Sequence, residues 1–487
     1  MLSEDGVVRR RRILLAGIAA TLALVAALAV VTSGGAESGA VCTPAQKVKA
    51  QKALAAYVKA MPALRRAYFS THKSAAQRSA FVRAQQAKLR RLRALATCTV
   101  PPPPPPPPPP LEPVPGADAP CMLAPSARSA QNEMSWGYPL FHEGPVNLAG
   151  ALGTRGRVRA VVIAIDFPDA PASQDAAALA AATVASLGRF EEYSYGRLSV
   201  SAQTLPGWRR MSQPASSYAS LSDGGPGART LLSEATGLVD AEVDFAAVEF
   251  VFVLAPGLAP YQRAGNPAWS VFPGHGFTRD GNEIRHATTL MRVFTQAYQD
   301  VGATANHELG HSLGLPEAYR QTPTGTRFDL VGMWDLMSQP NQHHFLAWHK
   351  YRLGWLNAAQ VTCLDSPRQA QVTLAPLETA GGMKAVVVRT TPTQAFVVEA
   401  RRKLGLDANL CKEGVLVYTV DSQVDNGGGP IVVQRAAEDV PGPERDRCDT
   451  LYNAPFQPGQ VFEDGNVKVS VLGAAGDGYA VEVTRKG

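Results

Sequence analysis

The sequence predicts an α+β protein: a mixed sheet crossed by helices, an antiparallel β-sandwich after it, and a helical hairpin before it. Three observations carry that prediction. Strand-like and helical patterns alternate between residues 158 and 313. Only short β-type runs, separated by Gly, Asp and Pro, follow residue 361. Between Cys42 and Cys98 lies a segment rich in Ala, Lys, Arg, Gln and Leu without one Asp or Glu.

The first part, residues 1–40, begins with Arg9, Arg10, Arg11 and Arg12 and continues into nineteen apolar or small residues, Ile13 to Val31. A positive stretch before an apolar one is the pattern of a membrane-inserting segment. It reads either as a signal peptide, with Ser38-Gly39-Ala40 as cleavage site, or as an uncleaved anchor. Both place everything after residue 33 on the exported side, so the expected location is extracellular, membrane-attached or secreted.

Residues 41–99 form the expected hairpin. Val82, Leu89, Leu92 and Ala96 repeat at helical spacing, and Pro62 and the 70–74 stretch read as breaks. Charge is unevenly divided: residues 1–100 hold 17 of the 47 Lys/Arg but three of the 41 Asp/Glu, so they carry +14 and the remainder −8. A uniform nucleic-acid binder would not divide its charge this way. The segment reads either as a solvated spacer or as a contact with an anionic membrane or wall polymer. Residues 100–117 are a linker: the ten prolines Pro101 to Pro110 hold a stiff polyproline II rod of roughly 30 Å.

Residues 118–360 form the next domain. Residues 158–165 and 249–254 read as buried strands, 176–192 and 288–313 as helices. In the sandwich, residues 361–487, strands are expected at 372–374, 385–389, 395–400, 414–420, 431–434, 467–472 and 479–483. Six cysteines in an exported chain favour disulfides, and position suggests Cys42–Cys98, Cys411–Cys448 and Cys121–Cys363. Cys121 has a second reading, as a thiolate capping a metal while the N-terminal region acts as propeptide.

The chemistry lies in His307-Glu308-Leu309-Gly310-His311-Ser312-Leu313-Gly314-Leu315-Pro316-Glu317. Two histidines at i and i+4 share one helix face and can reach a single ion. Zinc suits imidazole, and a catalytic site keeps one position for water. Glu308 is then the expected general base. Gly314 stands where a positive φ would end the helix, and Glu317 where a carboxylate returns as third ligand. Asp329, Asp335, His343 and His344 are the other candidates for that position. Calcium is a second candidate ion.

The HExxHxxGxx-ligand pattern resembles the metzincin zinc peptidases, and the chain is more closely similar to the immune inhibitor A family of secreted bacterial metallopeptidases. Four stretches carry the resemblance: Ala164 to Asp169 with Tyr193 to Leu198; the histidine helix; Met333 to Ser338 with Ala347 to Trp355; and Val397 to Arg401 with Gly414 to Asp421. It implies a metzincin-like catalytic domain that hydrolyses peptide bonds with zinc. It makes Met337 the methionine of the turn beneath the metal. The family places Asp where Glu317 stands, and Gln339 occupies the position of a tyrosine found in some metzincins. Tyr319, His343 and His344 are candidates to stabilise an oxyanion. The expected partner is a protein or peptide substrate, not nucleic acid, and the chain is expected to be a monomer. Two other functions fit the same residues: a non-catalytic envelope-binding protein with structural zinc, and a zinc amidase acting on a wall cross-link.

Overall fold

A computed structural model describes residues 44–71, 74–97, 113–126, 141–218, 226–255, 268–271, 276–290, 301–339, 343–436 and 451–487. The chain divides into two compact units, residues 1–111 and 112–487. The expected membrane-inserting segment, the ten-proline run and the pairings Cys42–Cys98 and Cys411–Cys448 involve residues outside those described. Cys411 is itself disulfide-bonded. Among the described residues no helix is long and apolar enough to cross a membrane.

The first unit is a helical hairpin of α1 (Pro44–Thr71) and α2 (Ala75–Ala96). Leu92 and Ala96 are buried in the seam, and Gln85 beside them accepts from Arg65 Nε at 3.3 Å while its amide donates to Met61 O at 3.4 Å. Tyr68 stacks on Phe81 with ring centroids 4.0 Å apart. The expected break at Pro62 is corrected: Pro62 lies inside α1. A proline costs the helix one hydrogen bond, but Tyr57 (to Gln85 O, 3.5 Å) and Tyr68 pin both flanking turns to α2.

In the second unit β1 (Gly156–Asp166), α3 (Ala176–Leu187), α4 (Phe190–Tyr193), β2 (Leu198–Thr204), β3 (Arg209–Arg210), α5 (Pro226–Gly237), β4 (Phe250–Leu254), β5 (Ala268–Val271), β6 (Phe277–Arg279), β7 (Asn282–Ile284) and β8 (Ala287–Leu290) precede the histidine helix α6 (Val301–Ser312). The main sheet runs β2-β1-β4-β8-β5. Its first four strands are parallel and β5 is an antiparallel edge. The apolar run of β1 is buried on both faces, as parallel strands are. Val158, Ala160, Val162 and Ala164 enter the core that holds Leu309 and Leu313 of α6. Val161, Ile163 and Ile165 enter a second core with Leu231 and Leu232 of α5.

The helix expected over 288–313 is shorter at its start, because Thr288 and Thr289 belong to β8, which completes the open edge of β4. The period of so short a polar-apolar run does not distinguish strand from helix.

After α6 come the hairpin β9 (Arg320–Thr322) and β10 (Gly325–Arg327), then α7 (Ala347–Arg352). The last third contains β11 (Val361–Leu364), β12 (Arg368–Leu374), β13 (Ala385–Arg389), β14 (Gln394–Arg401), β15 (Gly414–Asp421), β16 (Ile431–Gln434), β17 (Val461–Asp464), β18 (Val467–Ala475) and β19 (Gly478–Arg485). They form a five-stranded sheet, β11-β13-β14-β15-β16, and a four-stranded one, β12-β19-β18-β17. All neighbours are antiparallel except β11 and β13.

Strand alternation explains how this sandwich sits on the rest. Val386, Val388, Val398, Val415 and Val417 face the four-stranded sheet and pack on Val469, Val481 and Val483. Their neighbours Val387, Val397, Leu416, Tyr418 and Val420 share the core of α6 and β1. The five-stranded sheet is thus covered on both faces, and the boundary expected near residue 360 lies inside one compact unit. Cys121 and Cys363 are bridged, tying the segment before β1 to β11. The alternative of Cys121 as a free metal-capping thiolate is thereby corrected.

Candidate metal centre

Helix α6 presents His307 and His311 one turn apart and ends immediately after them. Gly314 has φ +94°, Gly314 N–H donates to His311 O (2.8 Å) and Leu315 N–H to Gly310 O (3.1 Å). This pair of bonds is the Schellman stop, which needs a residue that tolerates positive φ. A Cβ at Gly314 would lie 2.7 Å from Val146 Cγ1, so space as well as φ demands glycine there. The reversal sends Leu315 to Glu317 back across the end of the helix.

Glu317 arrives held on three sides. Its N–H donates to Asn426 Oδ1 at 2.6 Å, the next residue's N–H donates to Met337 O at 3.0 Å, and the Tyr319 hydroxyl donates to its Oε1 at 2.5 Å. Glu317 Oε2 lies 3.1 Å from His307 Nε2, and Oε1 lies 3.1 Å from His311 Nε2. One ligand atom from each of the three residues lies within 4.8 Å of the others.

The hydrogen-bond pattern tests whether these residues fit a metal. His307 Nδ1 meets Leu336 O at 2.8 Å, and His311 Nδ1 meets Leu315 O at 2.9 Å. A carbonyl only accepts, so each Nδ1 carries a hydrogen, and in the neutral ring each Nε2 offers its lone pair. Both Nε2 atoms converge on the Glu317 carboxylate, whose Oε2 has, among the described residues, no partner other than the His307 ring. Such a cluster needs positive charge at its centre, supplied by protons on the imidazoles or by a metal ion, and the donor set of two imidazoles and a carboxylate suits zinc.

The field of the site says the same. Burial opposes charge on either ring, but the Glu317 carboxylate overrides it, raising His307 and taking His311 up to about 9. Burial would likewise raise Glu317, and the facing imidazoles, His311 then His307, hold it well below the usual carboxylate range. Positive charge belongs opposite Glu317. Glu308, half-buried on the next position of α6, adds its negative charge to the same point and raises both imidazoles further.

Beneath the helix the turn bearing Met337 is packed against Gly310: a Cβ there would lie 2.4 Å from Met337 Sδ. Asp335 holds the turn, accepting from the N–H groups of Met337 and Leu346, each at 2.7 Å. His349 of α7 bridges Asp335 (2.8 Å) and Glu143 (3.1 Å), and Arg352 Nη1 and Trp348 Nε1 reach Glu143 at 3.0 Å. Burial opposes a charge on His349, but the two carboxylates, Asp335 first, raise it to about 9.

The other candidates for the third ligand lie elsewhere. Asp329 pairs with Arg320 at 2.6 Å, Asp335 is spent on the turn, and His343 meets Asp407 at 3.2 Å. His344 faces Lys350 Nζ at 3.0 Å and Glu192 at 3.5 Å. Tyr319 is the one oxyanion candidate that touches the centre, with its ring 6.2 Å from and parallel to that of His307. Gln339 accepts from Tyr452 at 3.0 Å.

Sequence reasoning missed Asn426 and Glu143, which come from 109 residues after Glu317 and 206 before His349, with no local pattern to mark them. It also missed a buried charge cluster at the junction with the sandwich. There Lys350 Nζ contacts the Tyr195 hydroxyl (3.2 Å), and Arg401 is encircled by Asp407, Glu399 (3.2 Å) and Glu378 (3.4 Å). Burial brings Lys350 down to about 7. The sequence did signal these residues, since Tyr195, Lys350 and Arg401 all lie in the stretches that carried the family resemblance.

No family model and no curated protein matches the chain. Among solved structures it is similar to wild-type OgpA from Akkermansia muciniphila at 13% identity and a TM-score of 0.23, over 58% of this chain and 92% of that one.

Proposed function

We propose that residues 112–487 act as a zinc-dependent endopeptidase of the metzincin-related, immune inhibitor A-like kind, on the exported side of a membrane. The observation that carries this is the convergence of two imidazole Nε2 atoms and the Glu317 carboxylate on one point. Beside that point stands a further carboxylate, Glu308, that the arrangement does not need for holding the ion. A purely structural site has no use for such a base. The stop at Gly314, the methionine packed under Gly310 and the carboxylate returning at Glu317 support the metzincin reading.

His307, His311 and Glu317 would hold the ion. Zinc in such a site acidifies a water and polarises a carbonyl. The chain's own contribution is orientation and proton handling. The Leu336 and Leu315 carbonyls fix the tautomer of each imidazole and its aim. Glu308 takes a proton from the attacking water and returns it to the leaving amine. Tyr319 donates to Glu317 Oε1 and thereby fixes which carboxylate oxygen is free.

The test uses the full chain. Purified protein is expected to hold one zinc per chain and to digest casein, and a chelator is expected to stop digestion. Glu308→Gln is expected to lower the rate about 10²- to 10⁴-fold, the contribution of a general base, with zinc content unchanged. Hydrolysis retained in that variant rejects the mechanism. Bound zinc without digestion of any protein favours the structural-site or wall-amidase alternative.

A further inference from the structure

The loop between β15 and β16 leaves the sandwich and meets the chain just after the histidine helix. Two backbone contacts define the meeting. Asn426 Oδ1 accepts from Glu317 N–H at 2.6 Å, and Gly427 O accepts from Gln321 N–H at 2.8 Å. Gly428 adds an isolated antiparallel bridge to Arg320. The tip of the loop is Gly427-Gly428-Gly429, and the close approach needs it. Gly427 and Gly429 have φ +72° and +79°, and a Cβ at Gly429 would lie 2.4 Å from Leu330 Cδ1.

The two contacts bracket Tyr319, whose hydroxyl donates to Glu317 Oε1 at 2.5 Å. One anchor therefore fixes the backbone that bears the returning carboxylate, and the pair fixes the tyrosine that selects its free oxygen. The Asn426 anchor also acts upstream. Leu315, two residues before Glu317, offers the carbonyl that accepts from His311 Nδ1 at 2.9 Å. Pro316 stands between them with its fixed φ, so the link from Asn426 to the Leu315 carbonyl is short and stiff. The stop at Gly314 holds one end of residues 315–317, and Asn426 holds the other. The Ala318 N–H is tied separately, to Met337 O at 3.0 Å. Without Asn426 the segment keeps that tether and loses its orientation.

We propose that Asn426 is a positioning residue for the metal centre: by holding the Glu317 N–H it sets the direction of the Glu317 carboxylate and, through the Leu315 carbonyl, the aim of His311. The sandwich then sets ligand geometry, a task beyond covering the core. This inference rests on the zinc-centre part of the proposed function and not on peptide hydrolysis.

The experiment uses the full chain. Zinc affinity is measured against a competing chelator, and ligand geometry is read from the visible absorption of the cobalt(II)-loaded protein. An outer partner of a metal ligand is worth about 10- to 100-fold in metal affinity. N426A is expected to lose that factor and to shift the cobalt spectrum. N426S removes the amide with a smaller void and gives the same readout should N426A not fold. N426D keeps an oxygen acceptor in place. Its added charge raises affinity by itself, so rescue is read in the cobalt spectrum, which is expected to match that of the wild type. Zinc affinity unchanged in the truncated variants, however far stability falls, overturns the inference and leaves Asn426 a structural contact. A spectrum shifted in N426D as in N426A also overturns it, because the acceptor is then not what matters. A wild-type chain that takes up neither metal rejects the centre itself, a failure visible before any variant is compared.

Discussion

Gly314→Ala tests whether the candidate metal centre is built by the helix stop. Two costs are separable there. The φ of +94° is a conformation in which a side chain costs roughly 1–2 kcal/mol. The added Cβ would also meet Val146 Cγ1 at 2.7 Å, and Val146 is buried with a branched, stiff side chain, so overpacking adds roughly 1–3 kcal/mol. Gly156→Ala is the control: its φ is +86°, but a Cβ there meets nothing within 4 Å. Urea denaturation of the zinc-loaded chain is expected to show Gly156→Ala destabilised by the conformational cost alone and Gly314→Ala by about 2–5 kcal/mol. Because Leu315 O fixes His311 Nδ1 (2.9 Å) and Glu317 follows two residues later, zinc affinity is expected to fall only in Gly314→Ala. Equal loss in the two variants, or undiminished zinc affinity in Gly314→Ala, refutes the reasoning.

Two further outcomes concern pH. Without metal, His311 is raised to about 9 and His307 above its ordinary value, both by Glu317 against the opposing effect of burial, so zinc must displace protons to bind. Affinity measured with a competing chelator is expected to rise with pH between about 6.5 and 9 and then level, and in Glu317→Gln the rise is expected to weaken. His349 is also raised to about 9, so its ion pairs contribute stability that is complete below about 6.5 and lost as pH rises through about 9. His349→Gln is expected to flatten the decline of denaturation midpoint over that window; an unchanged decline would assign it to another group.

What could be read from the sequence was whatever depends on short-range periodicity. The spacing of His307, His311, Gly314 and Glu317 is a property of one helix and its stop, and the geometry follows once that helix forms. The strands at 385–389 and 431–434 have the bounds their β-branched runs suggest. Long-range assembly was not legible. Nothing around Asn426 announces that it will accept the Glu317 N–H, and nothing near Glu143 announces a partner for His349. Pro62 was misread because local propensity said break, whereas contacts with α2 on both sides of it decided otherwise. Thr288 and Thr289 were misread because the need of β4 for a neighbour outweighs the pattern of four residues.

The same distinction bears on where the chain can be cut. Composition changes near residue 360, which suggests that residues 112–360 could stand alone, but the structure argues against it. Val387, Val397, Leu416, Val420, Ile431 and Val433 are buried in the core that contains Leu309 and Met337. At roughly 1.5–3 kcal/mol for each large side chain, losing that cover costs on the order of 10 kcal/mol, comparable with the whole stability of a domain. Polar groups would be orphaned too. The Ala347 N–H loses Glu399 Oε2 at 2.7 Å, the Trp334 carbonyl loses Arg401 Nη1 at 3.0 Å, and the Glu317 N–H loses Asn426. A chain ending at residue 360 is therefore expected to be insoluble or unfolded and to bind zinc without a defined site. Supplying residues 361–487 separately is expected to restore soluble, zinc-loaded protein only when the two pieces are refolded together. A soluble 112–360 fragment with a cooperative thermal transition would show that the sandwich is an appendage and not half of the core on which His307 and His311 rest.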